Sequence, residues 1–427
     1  MRKLYDAFAI NTNKGPEFED EASLATTLPA EVAVRLIAYY LPQFHAIPEN
    51  DSWWGVGFTE WTNVSKTLPK YVGHQQPKLP ADLGFYDLSH VDVIKRQVSL
   101  ARRAGITGFC IHNYWFSGRK LLNTPLELFL ADPTIDMPFC LNWANESWSR
   151  RWDGSENELL VEQVYDPQDH AGYVRSILPA LRDPRYIKVN GRPLIMVYRP
   201  SQIPDPKAMF ASWRSFLKAE GIGDPYLVMA QVFDDNDPRP YGLDAAAAFP
   251  PHNSSWLAKN DRAHLELLDN RFKGHVRSYE EVASDVLEKP DAEYRQFPGV
   301  MPGWDNEARK PGRGTSFYGA TPSRYAAWLY AAAQKALRIE DPQERLVFIN
   351  AWNEWAEGAI LEPDRHNGFG FLVKTRAVVD AITASRALPA TSASADSRNA
   401  ARPAWRHYLA NRSRSALRRL LHLSMRR

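Results

Sequence analysis

Short apolar runs recur along this chain and alternate with stretches of amphipathic helical pattern. Eight of the runs have the length and the β-branched or aromatic content that are typical of buried strands. They begin at Val34, Gly108, Pro138, Pro193, Tyr226, Ala245, Phe297 and Arg345. Because strands that alternate with helices form parallel βαβ units, eight units predict a (β/α)8 TIM-like barrel.

Two of the intervening stretches carry recognisable helix boundaries. In 89–105, Ser89 is a candidate N-cap and Gly105 is a candidate terminator. In 321–337, Thr321 is a candidate cap that precedes Pro322 at the first helical position.

Polar and aromatic residues follow most of the predicted strands. In a barrel the carboxyl ends of all strands open on one face, where catalytic residues lie. We therefore expect one substrate-binding cleft, whose residues are His112, Asn113, Tyr114, Trp115, Asn142, Trp143, Asn145, Glu146, Tyr198, Gln231, Trp304, Asp305, Asn306, Asn353 and Trp355.

The connection after the first strand, 41–90, is longer and richer in Pro and Gly than an ordinary βα loop. Long ordered loops are commonly functional. We interpret this one as a lid or wall of the cleft that supplies His45, Trp53, Trp54, Glu60 and Trp61 to the substrate. A structural loop that plugs the barrel rim is the alternative.

The predicted domain organisation is an N-terminal segment (1–31), a barrel domain (32–384) and a low-complexity linker with a basic amphipathic tail (385–427). The tail carries a net charge of +9, which leaves −7 on the rest of the chain and argues against a nucleic-acid partner. The tail is expected either to lie on an anionic membrane surface or to be solvated. With no signal peptide and no apolar stretch of spanning length apparent, we expect a cytoplasmic protein, which a membrane-bound tail would place on the inner face of the membrane.

Several chemistries leave no motif in this sequence. The chain has no G-x-S-x-G elbow, P-loop, H-E-x-x-H or D-x-D-rich cluster, so neither a metal nor a cofactor is expected. The stretch 362–366, EPDRH, could supply metal ligands, although internal pairing is the favoured interpretation. Cys110 and Cys140 are predicted to be buried free thiols. Carboxylates, amides and an aromatic content of 12% remain, and these groups suit glycoside chemistry.

The stretch NAWNEWAEG, 350–358, places Glu354 and Glu357 three residues apart after the eighth strand. A helical turn there would bring the two side chains together, which favours a retaining reaction and one shared proton. Glu146 and Asp305 are the rival carboxylates. Carboxyl groups that point apart, or that are buried in ion pairs with Arg150, Arg151 or Arg309, would instead indicate a glycan-binding protein without turnover.

Five ordered blocks between Val34 and Phe371 resemble the WbsX-type family, which consists of glycoside hydrolase family 99-like proteins of O-antigen and lipopolysaccharide loci. The blocks are YYLPQFHAIPENDSWWGVGFTEWTNV, HNYWFSGRKLL, NWANESWSRRWDG, MPGWDNEARK and INAWNEWAEGAILEP. The third block adds Arg151 and Trp152 to the candidate substrate-binding residues.

The resemblance implies that Glu354 takes the proton from a sugar 2-hydroxyl, which attacks C1 to give a 1,2-anhydro sugar. Glu357 would protonate the leaving oxygen and then activate the incoming water or acceptor hydroxyl. This route needs a 2-hydroxyl trans to the leaving group, as in α-mannosides and α-rhamnosides.

The sequence thus predicts an enzyme that cleaves or transfers glycosidic bonds of an oligosaccharide or polysaccharide in surface-polysaccharide metabolism. A donor-dependent glycosyltransferase of O-antigen biosynthesis and a non-catalytic glycan-binding protein remain the alternatives. The sequence leaves the oligomeric state open.

Overall fold

The computed structural model describes residues 2–29, 32–150, 155–233, 235–254 and 259–387. The strands in these ranges are β1 (Arg35–Tyr40), β2 (Gly108–Phe116), β3 (Arg119–Leu121), β4 (Phe139–Trp143), β5 (Trp148–Arg150), β6 (Ser155–Val161), β7 (Lys188–Val189), β8 (Arg192–Val197), β9 (Tyr226–Gln231), β10 (Ala245–Ala248), β11 (His275–Ser278), β12 (Gln296–Phe297), β13 (Gly299–Val300), β14 (Thr315–Tyr318), β15 (Leu346–Ile349), β16 (Asn353–Glu354) and β17 (Ala359–Ile360).

Nine of these strands form a nearly closed parallel barrel. Neighbouring strands pair in the order β12, β10, β9, β8, β4, β2, β1, β15 and β13, and every pairing is parallel. β12 and β13 occupy one strand position that Pro298 interrupts, because a proline has no N–H to donate to a ladder. The ring therefore has eight strand positions, which confirms the predicted barrel and all eight predicted strands.

The helices surround this ring or cover its ends. They are α1 (Arg2–Thr12), α2 (Pro48–Trp54), α3 (Trp61–Val64), α4 (Val91–Arg103), α5 (Thr124–Ala131), α6 (Gly172–Ser176), α7 (Leu178–Leu181), α8 (Pro206–Ala219), α9 (Tyr279–Leu287), α10 (Pro322–Leu337) and α11 (Gly370–Ala387). Every helix in the described part of the chain is too short or too polar to span a membrane.

The predicted helix boundaries are confirmed for α10 and corrected for α4. Thr321 accepts a hydrogen bond from the amide of Arg324, with Pro322 as the first helical residue. Gly105 ends the α4 region in the left-handed conformation, as expected. The predicted cap at Ser89 is wrong: His90 occupies the N-cap, and the Ser89 amide donates to Asp87 in the preceding turn.

The barrel wall is buried on both faces. Strands β1, β4, β9 and β15 are almost entirely inaccessible, as parallel strands between a barrel interior and a helical layer must be. Cys110 on β2 lies beside Cys140 on β4, and both are buried free thiols, as predicted.

The N-terminal segment contacts the barrel domain, whereas most of the C-terminal segment lies outside the described residues. The Gly15 amide donates to the His366 carbonyl, and Asn11 donates to the carbonyls of His74 and Gln76. Of the predicted C-terminal segment, 385–387 continue α11, and 388–427 lie outside the described residues.

Candidate active site

A cleft of about 320 Å³ opens at the carboxyl ends of the barrel strands. Its walls come from the long connection after β1, from the ends of β2, β4, β8 and β10, and from the segment after β15. The lining residues are Leu41, Gln43, Asn50, Trp53, Trp54, Phe58, Glu60, His112, Tyr114, Leu122, Ala144, Glu146, Ser147, Trp148, Ser149, Leu160, Tyr198, Phe249, His252, Arg309, Asn350, Glu354 and Glu357.

The segment after β15 is locked to the barrel before it presents its carboxylates. Asn353 accepts a hydrogen bond from the Leu41 amide at 2.8 Å and donates to the Leu41 carbonyl at 2.9 Å. The indole of Trp355 points away from the cleft and donates to Glu362 at 2.6 Å. These contacts fix the backbone on either side of Glu354.

Glu354 is the N-cap and Glu357 is the last residue of a single 3₁₀ turn, Trp355–Glu357, which confirms the predicted helical turn. In a 3₁₀ turn the side chains at i and i+3 lie one above the other, so both carboxyl groups face the cleft. Gly358 ends the turn with φ of 61°, and an added Cβ would lie 3.0 Å from Lys78 and 3.1 Å from Asp305. Glycine is thus required to reverse the chain at this point.

Arg309 joins the two carboxylates. Its Nη2 lies 2.9 Å from Oε1 of Glu354, and its Nη1 lies 2.8 Å from Oε1 of Glu357. The same guanidinium donates to Glu60 at 2.9 Å and to the side-chain carbonyl of Gln43 at 3.1 Å. Three carboxylates, those of Glu60, Glu354 and Glu357, therefore surround one guanidinium.

Burial and like charge favour proton retention by this cluster. The pKa of Glu354 lies well above its ordinary value because of burial, and the charges of Glu357 and Glu60 raise it further while Arg309 opposes the shift. The pKa of Glu357 is raised as well, again mainly by burial. Because the two glutamates titrate as a pair, the pair keeps a proton above the usual carboxyl range.

These ion pairs are one of the two arrangements that would indicate a glycan-binding protein without turnover. The carboxyl groups do not point apart, but both are paired with Arg309. Their exposures differ, since the Glu354 side chain is 6% exposed and that of Glu357 is 20% exposed. Glu357 is therefore the more accessible of the two from the cleft.

Two histidines in the cleft are held neutral. Burial, aided by Arg309, lowers the pKa of His112 to about 4. Burial, aided by Arg199 and Lys310, likewise lowers the pKa of His252 to about 4. At neutral pH both imidazoles therefore offer hydrogen bonds rather than charge.

Aromatic rings form one wall of the cleft. Trp53 packs edge-on against Trp148 with ring centroids 6.1 Å apart, and Trp54 packs against Phe58 at 5.9 Å. Trp53, Trp54 and Trp148 belong to the lining, so this wall offers flat apolar surfaces beside the carboxylates.

Seven of the predicted substrate-binding residues line the cleft together with both predicted catalytic glutamates. The seven are Trp53, Trp54, Glu60, His112, Tyr114, Glu146 and Tyr198, and the buried Asn142 lies beneath the cleft, 3.1 Å from His112. Arg151 and Trp152 lie outside the described residues.

The remaining predicted residues do not line the cleft and have structural contacts instead. Trp61 and Trp355 pack on each other, Asn145 holds Tyr165 and Arg199, Gln231 holds Tyr294, and Asn306 accepts from Thr315. The residues in this group are His45, Trp61, Asn113, Trp115, Trp143, Asn145, Gln231, Trp304, Asp305, Asn306, Asn353 and Trp355.

The two rival carboxylates are engaged elsewhere. Glu146 lines the cleft but pairs with Arg199 at 2.7 Å. Asp305 is buried outside it, where His74 lies 2.7 Å away and Gln76 donates at 2.8 Å, while its amide donates to the Glu357 carbonyl. Asp305 thus supports the backbone of the turn that carries Glu354 and Glu357.

Arg309, His252 and Gln43 are cleft residues that the predicted set omits. His252 follows the sixth strand, so the rule that polar residues follow strands could have found it. Nothing in the sequence shows that Arg309 would contact glutamates from two distant segments. Within the described residues, no cluster of three or more His, Cys, Asp or Glu side chains is arranged to hold a metal ion; Glu362 of the EPDRH stretch is instead hydrogen-bonded by Trp355, Gln97 and Tyr86.

Comparison with known proteins identifies the family. Residues 36–375 match the profile of the family described as glycosyltransferase WbsX. This chain belongs to the WbsX family. Two relatives, both described as uncharacterized protein WxcX, come from Xanthomonas campestris pv. campestris strains B100 and ATCC 33913. This WbsX-family chain is 46% identical to the first over 363 residues and 47% identical to the second over 349 residues.

The matches cover 84% and 82% of this chain but only 52% and 50% of the relatives, so the chain spans about half their length. Among solved structures, it is similar to the GH99 endo-alpha-mannosidase from Bacteroides thetaiotaomicron in complex with BIS-TRIS-Propane, with a TM-score of 0.52 at 16% identity. That match covers 83% of this chain and 98% of the mannosidase. At this identity the likeness shows that the WbsX-family chain shares the mannosidase fold.

Proposed function

We propose that this protein is a glycan-active enzyme that cleaves or transfers glycosidic bonds with retention of configuration. The observation that carries the proposal is the Glu354–Glu357 pair, which faces an aromatic-walled cleft from one 3₁₀ turn. Glycoside chemistry needs two carboxyl groups of different protonation in one site, and a buried coupled pair supplies them. Membership of a family described as glycosyltransferases supports the same class of substrate.

In the proposed mechanism each glutamate moves one proton at a time. Glu354 accepts the proton of the sugar 2-hydroxyl as its oxygen bonds to C1, while Glu357 donates a proton to the departing glycosidic oxygen. The product of this step is a 1,2-anhydro sugar. Glu357, now ionised, takes a proton from water or an acceptor hydroxyl, whose oxygen opens the epoxide at C1, and Glu354 returns its proton to O2.

This mechanism determines the substrate configuration. The 2-hydroxyl can attack C1 only from the face opposite the leaving group, which selects α-mannoside-like and α-rhamnoside-like linkages. The name of the similar solved structure, an endo-alpha-mannosidase, agrees with that choice.

The charge of the cleft favours a neutral glycan over a nucleotide-linked donor. Of the four lining glutamates, Glu146 is paired with Arg199, while Glu60, Glu354 and Glu357 share Arg309, so even with one retained proton the cleft has a surplus of about one carboxylate. A diphosphate would be repelled by such a surplus of carboxylates. The donor-dependent transferase is therefore the less favoured route, although the family description names transfer.

A glycan-binding protein without turnover is a second candidate, and the Arg309 ion pairs favour it. Because both carboxyl groups nevertheless line the cleft, and because burial raises the pKa of each, we favour the catalytic candidate.

The deciding experiment measures sugar release or transfer from a panel of α-mannosyl and α-rhamnosyl oligosaccharides. Wild type is compared with Glu354→Gln and Glu357→Gln, and Glu220→Gln, which alters an exposed ion pair with Arg182, is the matched control. We expect both cleft variants to lose turnover by at least about 10²-fold while the control keeps it. Binding by wild type with no turnover of any substrate would identify a binding protein instead.

Two further arms separate the chemical roles. A glycosyl fluoride needs no proton on its leaving group, so it should restore the first step in Glu357→Gln but not in Glu354→Gln. Chelation with EDTA should leave wild-type activity unchanged, whereas loss of activity would favour a metal-dependent donor route.

We also propose that the enzyme works at the cytoplasmic face of the membrane in surface-polysaccharide metabolism. The basis is the +9 charge of residues 385–427 in the sequence. Removing 402–427 should release the protein from vesicles that contain anionic lipid without lowering its melting temperature. Unchanged partitioning would show that the tail is merely solvated.

A further inference from the structure

A second cavity, of about 270 Å³, lies beside the barrel wall and shares no lining residue with the catalytic cleft. Its walls are the end of β2, the end of β4, the 164–170 segment and α6. Lys120 on β3 donates to the carbonyl of Ser176, which ties the β2–β3 hairpin to the end of α6.

Side-chain alternation along β2 explains why one strand serves two cavities. His112 and Tyr114 point into the catalytic cleft, and Trp115, the next residue, points to the opposite face. On β4, Trp143 likewise points outward, while Asn142 lies under His112. The second cavity therefore lies at the same end of the barrel as the cleft but outside the wall.

Trp115 forms the aromatic floor of this cavity and rests on two buried aromatic rings. Trp143 stacks on Tyr173 with centroids 4.6 Å apart and planes 11° apart, and Trp115 meets both rings edge-on at 6.0 Å. Trp115 is only partly buried. The backbone of α6 approaches it so closely that a Cβ at Gly172 would lie 3.0 Å from the Trp115 ring. The position of the Trp115 ring is therefore fixed without a ligand.

Polar groups that can bind hydroxyls surround the floor. Asp169 and Arg175 form a two-point ion pair with distances of 2.9 and 3.0 Å, and both also line the cavity. Asp166, His170, Ser117 and Ser176 are further polar residues of the lining. Two carboxylates beside one guanidinium give this rim no excess of positive charge, so phosphate-bearing ligands are disfavoured.

We propose that this cavity is a second glycan-binding site, which holds one neutral sugar residue outside the reacting cleft. A fixed aromatic face packs against the apolar C–H side of a pyranose, and the planar Asp169–Arg175 pair bonds to adjacent hydroxyls. The volume, at the lower end of ligand pockets, suits one sugar ring. That the ligand is a glycan rests on the proposed function, whereas the position of the site does not.

The test records ¹⁹F NMR spectra of the full chain labelled with 5-fluorotryptophan, in the Glu357→Gln background so that substrate is not consumed. Trp115→Phe and Trp53→Phe assign one resonance for each cavity. The probes are the α-mannosyl and α-rhamnosyl oligosaccharides of the activity panel. We expect the Trp115 resonance to shift saturably, with its own dissociation constant.

Charge-pair variants then test the polar rim. Arg175→Gln and Asp169→Asn should weaken the Trp115 titration at least about tenfold and leave the Trp53 titration unchanged. Arg182→Gln is the matched control, because Arg182 pairs with Glu220 at 2.7 Å and has the same exposure as Arg175 but lines neither cavity.

The two resonances separate failure of this inference from failure of the proposed function. Shifts at Trp53 alone would overturn the second site and leave the catalytic proposal standing. A Trp115 shift that Arg175→Gln and Asp169→Asn do not weaken would also overturn it, since the rim would then make no contact. Shifts at neither residue would overturn the second site and count against a glycan in the cleft.

Discussion

Replacing Arg309 by glutamine is the most informative perturbation of the cleft. Arg309 contacts Glu60, Glu354 and Glu357, and its side chain is only 11% exposed. A hydrogen bond to a charged group contributes about 1.5–3 kcal/mol, which corresponds to about 1–2 pKa units on a carboxylate that loses it. Because Arg309 lowers the pKa values of Glu354 and Glu357, its loss raises them further.

The sign of the effect on activity follows from the proposed roles. The reaction needs one ionised carboxylate, so the acid limb of kcat/KM should move upward by about 1–2 pH units in Arg309→Gln. Arg309→Lys should move it less, because it retains a charge but not the planar fork that reaches several carboxylates. Removing the partner of buried carboxylates should also lower the free energy of unfolding at neutral pH by about 3–5 kcal/mol.

Two measurements check this prediction. The pH profile of kcat/KM on the best substrate of the panel gives the acid limb. Titration of ¹³Cδ-labelled glutamates by NMR gives the same pKa shift without requiring turnover. Arg182→Gln, on the surface, should stay within about 0.5 kcal/mol of wild type. An unchanged acid limb and unchanged glutamate pKa values in folded Arg309→Gln would refute the assigned role of Arg309.

Three further variants test the surroundings of the pair. Burial raises the pKa of Glu362 from 4.5 to about 7. The free energy of unfolding of wild type should therefore fall by about 3 kcal/mol as the pH rises from 4.5 to 7, because the unfolded chain ionises this group first. Urea unfolding of Glu362→Gln should lack that decline; an identical slope would contradict it. Gly358→Ala should lower the melting temperature and reduce turnover, because the φ of 61° at this position suits glycine and the alanine Cβ would crowd Asp305. An unchanged melting temperature in calorimetry would contradict this prediction. At pH 7 the free energy of unfolding of Glu357→Gln should exceed that of wild type by about 1 kcal/mol, because the variant removes a surplus buried carboxylate. A large loss of stability would instead indicate a structural ion pair.

The barrel could be predicted from sequence because each of its strands is a continuous apolar run. Even the strand that Pro298 interrupts, β12 and β13, could be recognised, because the apolar residues Phe297 and Val300 lie on either side of the proline. The turn that carries Glu354 and Glu357 was predictable for a similar reason. Its geometry is local, and spacing alone determines which side chains are neighbours.

The direction of each tryptophan could not be predicted. Trp53 and Trp61 occur in the same aromatic stretch, yet Trp53 lines the cleft and Trp61 packs against Phe44, Tyr86 and Trp355. The difference depends on how two short helices of the long loop dock on the barrel, which is a tertiary effect. The long loop therefore has both predicted roles, because it forms a wall of the cleft and fills the rim beneath it.

The pairing of Arg309 with both glutamates is long-range in the same sense, since Glu60 lies 249 residues away in the sequence. The charge balance of this cluster nevertheless indicates what it is for. A binding site built for neutral hydroxyls needs one carboxylate for each buried guanidinium, and additional buried carboxylates cost stability. Here three surround one guanidinium, and the shared turn forces Glu354 and Glu357 close together. When the pair retains a proton, fewer charged carboxylates are buried and the loss of stability is smaller. A proton that is retained beside an ionised carboxylate is what acid–base catalysis requires. The ion pairs with Arg309 are therefore better explained as control of protonation than as an inert structural link.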